Sequence, residues 1–315
     1  MAQRFRTSRH ALTAAVATAA LALTLAACGS GSGSGSGSHG HSGHGSTMPG
    51  MDHGTTTPSP STSDDAMAGM PGMDGAAAGN GLAAAQDGYR LTPATASLPA
   101  GKATDYRFSI TGPDGKPVTD FAVDQTKRMH FYAVRSDLSG FQHLHPTMAG
   151  DGTWTAPLES LEPGAWRLYT SFTPDSGSGT GKDLVLSRTV KVPGTATATP
   201  LPKASATTTV DGYTVTVKGD PMAGMAHQMT ATVTKDGKPV TDLQPYLETY
   251  AHLTAFHQGD LAFAHLHPET EVDGDHGGPT LTFHAEFPRS GNWRLFLQFQ
   301  TAGKLHTAAL TLNVG

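Results

Sequence analysis

From Tyr89 to Gly315 the apolar positions recur mainly with a period of two. "TDYRFSI" sets Tyr106, Phe108 and Ile110 on one face. "AWRLYTSF" does the same with Trp166, Leu168 and Phe172, leaving Thr170 between them. "MHFYAV" (Met129 to Val134) and "LVLSRTVKV" (ending at Val192) read as further strands, and "PDGK" at Pro113 to Lys116 reads as a turn. This region shows no helical period. Short alternating strands separated by turns predict an all-β fold.

The pattern occurs twice. "DGKPVTD" spans Asp114 to Asp120 and returns at Asp236 to Asp242, and "PGAWRLYTSF" is answered by "SGNWRLFLQF", which pairs Trp166 with Trp293. "FQHLHP" at Phe141 to Pro146 returns as "FAHLHP" at Phe263 to Pro268. The repeat is an internal duplication of about 105 residues per copy. The expectation is two tandem immunoglobulin-like β-sandwich domains, at 89–192 and 209–315, joined by a Thr/Ala/Pro-rich linker at 193–208. The chain has one cysteine, so neither domain can carry an internal disulfide.

Residues 1–88 have a different chemistry. Arg4, Arg6 and Arg9 precede an apolar run from Ala11 to Ala27, which reads as a secretory signal over 1–27. The run ends in "LAAC" at Leu25 to Cys28, which resembles the lipobox of bacterial lipoproteins and marks Cys28 as the lipidated residue. An uncleaved N-terminal anchor would leave the body of the chain outside the cytoplasm equally well. Residues 28–88 then read as a disordered tether, first Gly/Ser, then rich in His and Met.

The histidines carry the candidate chemistry, at sixteen in a chain of 315 residues. Residues i and i+2 of a strand share a face, so His143 and His145 go together, as do His265 and His267. His130 and His252 occupy the same offset before each pair and supply a third imidazole from the preceding strand. Three imidazoles suit copper, zinc or nickel and leave a coordination position open. This predicts one site per copy for Cu(II) or Zn(II), with His284 a possible fourth ligand in copy two. The competing reading is a buried, hydrogen-bonded corner copied by the duplication. His257, His276 and His306 lack clear counterparts in copy one.

In the tether, Met48, Met51 and His53, then Met70 and Met73, bring soft thioether sulfur together on a flexible background, which suits Cu(I). "PMAGMAHQM" at Pro221 to Met229 has the same character. A net charge of −5 gives no indication of nucleic acid.

These features resemble bacterial envelope lipoproteins of copper handling, the CopC-like and YtkA-like groups, which carry His/Met-rich tails and small immunoglobulin-like domains. The chain departs from a CopC-type site, because lipidated Cys28 would leave no N-terminal histidine. The "HLHP" and "G-x-W-R" motifs resemble a secreted two-copy family without an assigned activity. The resemblance implies a protein anchored by lipid to the outer side of the cell membrane. It would buffer copper, confer resistance, or deliver the metal to a copper transporter or another metal-accepting envelope protein. A non-catalytic interaction module with structural histidines is the alternative. A copper-dependent redox enzyme is a lesser one: His-x-His on a β-sandwich is similar to part of the copper–zinc superoxide dismutase pattern, but the rest of that pattern is not recognisable. No Ser/His/Asp set or phosphate loop is present, so the expectation is a non-enzyme.

Overall fold

A computed structural model of the chain describes residues 80–315. The signal segment, Cys28, Met48, Met51, His53, Met70 and Met73 lie outside the described residues. In chain order, copy one contains β1 (Ala85–Gln86), β2 (Tyr89–Pro93), β3 (Thr104–Thr111), β4 (His130–Arg135), β5 (Phe141–Leu144), β6 (Thr147–Met148), β7 (Thr153–Leu158), β8 (Gly164–Phe172) and β9 (Leu184–Val192). Copy two contains β10 (Thr207–Val210), β11 (Tyr213–Lys218), β12 (Ala226–Lys235), β13 (Lys238–Pro239), β14 (Ala251–His257), β15 (Phe263–Pro268), β16 (Thr280–Glu286), β17 (Gly291–Thr301) and β18 (Lys304–Val314). The first strand, at Ala85, precedes the start expected at Tyr89.

Copy one folds into two antiparallel sheets, ordered β1-β2-β3-β7-β6 and β5-β4-β8-β9. Lettered A to G from β2, with β5 as C′, these are the A-B-E-D and C′-C-F-G sheets of an immunoglobulin sandwich. The alternating rows read from the sequence line the space between them. Tyr106, Phe108, Ile110, Trp166, Leu168 and Phe172 share one core. Trp293 occupies the matching place in copy two. Each indole N–H donates to a carbonyl four residues back, Glu162 in one copy and Arg289 in the other, both at 2.9 Å.

In copy one the "HLHP" motif lies where the chain leaves one sheet for the other: β5 pairs with β4, β6 pairs with β7, and His145–Pro146 falls between them. In copy two β15 runs through the whole motif. Phe263 to Leu266 pair with β14, and Leu266 to Pro268 pair with β16, joining the two sheets into one path.

The copies also pack on each other. All six residues of β4 are buried, and six of the seven in β14, so each strand is covered on both faces. In β4 one row, Phe131 and Ala133, faces its own core, while Tyr132 and Val134 join Tyr169 and Val185 against Phe256, Leu261, Phe263 and Phe296 of copy two. The contact is close to a two-fold exchange. Phe141 stacks on Phe296 with centroids 4.1 Å apart, and its counterpart Phe263 meets Tyr169, the counterpart of Phe296, at 6.0 Å.

The linker is fastened as well. The Thr199 N–H donates to Asp137, the Thr197 carbonyl accepts from Arg135, and Leu201 packs into the contact between the copies. On the N-terminal side, Asn80 accepts from the Phe263 N–H of copy two at 2.8 Å, while Ala83 accepts from the Ser187 N–H of copy one at 2.8 Å.

Candidate metal centre

The interface places His130 at the head of β4 and His143 on the neighbouring β5, both on the face turned toward copy two. His145 follows at the corner. One ligand nitrogen from each lies within 4.8 Å of the others, and this is the metal-capable group found among the described residues. The Nδ1 of His130 is 3.1 Å from the Nε2 of His143. Ring centroids lie 5.4 Å apart for His130 and His143, 5.1 Å for His130 and His145, and 4.7 Å for His143 and His145. Tyr132 stacks on His143 at 4.5 Å and 20°, which fixes the ring plane.

The outer nitrogens decide what the inner ones carry. His130 Nε2 faces the Asp124 carbonyl at 3.2 Å, an acceptor only, so this nitrogen bears the proton. His143 Nδ1 lies 2.7 Å from Gln298 Oε1, a separation that suits N–H···O, while the Gln298 amide donates onward to Thr307. Each neutral ring then presents a lone pair inward, at His130 Nδ1 and His143 Nε2. Two acceptors 3.1 Å apart repel unless a cation lies between them. Nitrogens on a tetrahedral ion with metal–nitrogen bonds of about 2.0–2.1 Å stand roughly 3.3 Å apart, so the spacing fits a shared metal. A metal-bound histidine commonly donates its other N–H to a carbonyl, as both do here. His145 Nε2 is buried with no partner, a third donor of the same kind.

Protonation is the other way to relieve facing lone pairs, and burial opposes it. His130 is held below the ordinary histidine value, first by burial. His143 lies well below it, again through burial, with His145 and His130 adding repulsion. Burial and then His130 push His145 down to about 3. The set is therefore neutral at physiological pH, the form that ligates. His145 also lines an open groove of about 410 Å³ with Thr147 and Met148.

A separate three-histidine site in copy two is not assembled among the described residues. His252 turns across the interface instead, its ring 6.1 Å from His130 and 5.7 Å from His143. Sequence spacing alone could not show that the two histidine faces meet. His267 is exposed and pairs in register with His284, which is exposed too and lies 4.0 Å from Glu269. His284 thus lies across the ladder from His267, within copy two. Only the backbone of His265 is described, opposite Thr254. The histidines without counterparts in copy one have local partners: His257 pairs with Asp260, His276 with Asp275, and His306 with Asp211. Gln298 and Tyr132 were not anticipated. Gln298 interrupts the apolar run Leu295 to Phe299, and that irregularity was a signal available in the sequence.

Residues 84–190 and 208–315 each match the family described as Domain of unknown function (DUF8832). The chain belongs to this family. The two family segments fall on the two copies, so the family unit is one sandwich and this chain carries it twice. No curated protein matches the sequence. Among solved structures, the chain is similar to FdeC, an Escherichia coli adhesin, at 16% identity and a TM-score of 0.24, over 73% of this chain and 65% of that one. It is similar to Yersinia pseudotuberculosis InvD at 16% and 0.22, over 72% and 57%. The N-terminal Ig1-2 module of the Drosophila receptor phosphatase DLAR gives 10% and 0.20, over 72% and 98%. The chain thus spans less than two thirds of the first two.

Proposed function

We propose that this protein holds a transition-metal ion, Cu(II) or Zn(II), between its two copies, and that its role is binding rather than catalysis. The observation that carries this is the pair of lone pairs at His130 Nδ1 and His143 Nε2, 3.1 Å apart, with unpartnered His145 Nε2 beside them. Imidazole donors suit both ions. In this reading lipidated Cys28 tethers the domains to the outer side of the cell membrane. The tether methionines collect Cu(I), and the protein buffers the metal or passes it to a metal-accepting envelope protein.

A second reading has one observation in its favour. The cluster is walled by the apolar contact between the copies, and His143 stacks on Tyr132. The histidines would then be packing elements of an interaction module. Metal titration of the full chain separates the two. With His143 and His145 both changed to alanine, the metal reading expects one equivalent of Cu(II) or Zn(II) to be lost while the tether's share is retained. Unchanged stoichiometry in a folded double variant assigns the cluster to packing.

A further inference from the structure

We infer that His252 is the fourth ligand of this ion, so that the metal staples copy two to copy one and its coordination sphere closes. The inference rests on the metal reading above and adds a donor from the other copy. His252 is only 5% exposed, and its Nε2 is buried without a hydrogen-bond partner. A buried, unpartnered imidazole nitrogen is costly unless something occupies it. Tyr246 packs edge-on against the ring at 5.6 Å.

The spacing brings His252 near the set, though farther out than its three members stand from one another. Four imidazoles on one tetrahedral ion stand with ring centroids roughly 5 Å apart. Within copy one they are 4.7 to 5.4 Å apart, and His252 is 5.7 Å from His143 and 6.1 Å from His130. Closing the sphere needs His252 to move inward, since its ring stands farther from His143 and His130 than the copy-one rings stand from one another.

Four protein ligands describe a holding site, whereas catalytic zinc and many copper sites keep a position for water or substrate. The inference therefore separates storage from redox catalysis, which three histidines alone left open. It also makes occupancy a property of both copies: an ion bound by all four side chains resists separation of the two sandwiches. By mass action, metal then stabilises the contact between the copies as well as each fold.

Cobalt(II) is the probe, because its visible absorption reports coordination number. The full chain is loaded with Co(II) and compared with His252→Ala, His252→Cys and the His143→Ala/His145→Ala double variant. Four-coordinate Co(II) in the parent should give an intense visible band. In His252→Ala the band should weaken as water enters, and affinity should fall at least about tenfold. His252→Cys should add a thiolate-to-cobalt charge-transfer band absent from the parent, and this positive signal does not depend on a loss of binding. If His252→Ala keeps the parent's band and affinity, and His252→Cys gains no charge-transfer band, the fourth-ligand assignment is overturned. If the parent shows no band, or the double variant keeps it, the metal reading itself fails.

Discussion

In copy one the chain leaves β5 at Leu144, turns through His145 and Pro146, and restarts as β6. In copy two the same four letters lie inside β15, which hydrogen-bonds to β14 on one side and β16 on the other. The interrupted corner leaves His145 free of the ladder, facing the cluster with an unpartnered nitrogen. The continuous strand commits His267 to a cross-strand pair with His284 on an exposed face. Identical spacing thus serves two ends, and the partner strand decides which. Among the described residues, the His-x-His pair of copy one joins a histidine cluster, while His267 of copy two sits in a sheet seam.

The largest effects should come from what the copies have in common. Trp166→Ala and Trp293→Ala each empty a buried indole site and should cost roughly 3–5 kcal/mol. Chemical denaturation should register this even in metal-free protein. A small loss for one copy alone would show that the two cores are not equivalent supports.

Acid should act mainly through the buried histidines at the contact between the copies. Burial lowers His130, His143, His145 and His252, the last to about 4, and neighbouring imidazoles add to this at His143, His145 and His252. Below the ordinary value near 6.5 the unfolded chain takes protons that the folded cluster refuses. Stability is therefore fully present above about pH 6.5 and is lost as pH falls toward the lowered values. The thermal midpoint of metal-free protein should drop between pH 7 and pH 5, and His143→Gln should flatten that slope. An identical slope in the variant would remove the cluster as its source.

A finer comparison uses Gly140, whose counterpart in copy two is Ala262. A Cβ on Gly140 would come within 2.4 Å of the Trp166 ring. Gly140→Ala should cost about 1–3 kcal/mol by overpacking, although the other copy carries that very residue. A neutral result would mean that the Trp166 ring has room to yield. The smallest effect belongs to His267→Ala, which should leave the interface stoichiometry unchanged and shift stability by no more than about 0.5 kcal/mol. Loss of the equivalent in that variant would place the centre in copy two after all.

Much of this was legible in the letters. The rows Tyr106/Phe108/Ile110 and Trp166/Leu168/Phe172 point inward as their period demands, and the all-β tandem follows from them. His284 and Glu286 face out beside buried Phe283 and Phe287, as alternation requires. The meeting of the copies was not legible, because periodicity assigns residues to faces and says nothing about which faces touch. The one hint was local: "MHFYAV" is apolar on both rows, and a strand covered on both sides needs a second partner.

The segment Asn80 to Ala84 has a mechanical consequence. Its backbone carbonyls are gripped from both copies: Phe263 of copy two holds Asn80, while Arg167 and Ser187 of copy one hold Leu82, Gly81 and Ala83. A pull arriving through the preceding chain is therefore shared by both sandwiches at their seam. It loads a row of hydrogen bonds together and does not peel one strand from one edge. In a single-molecule pulling experiment from that side, release of this segment should precede unfolding of either copy as a distinct step, and substituting Ser187 by alanine should lower the force at which it occurs.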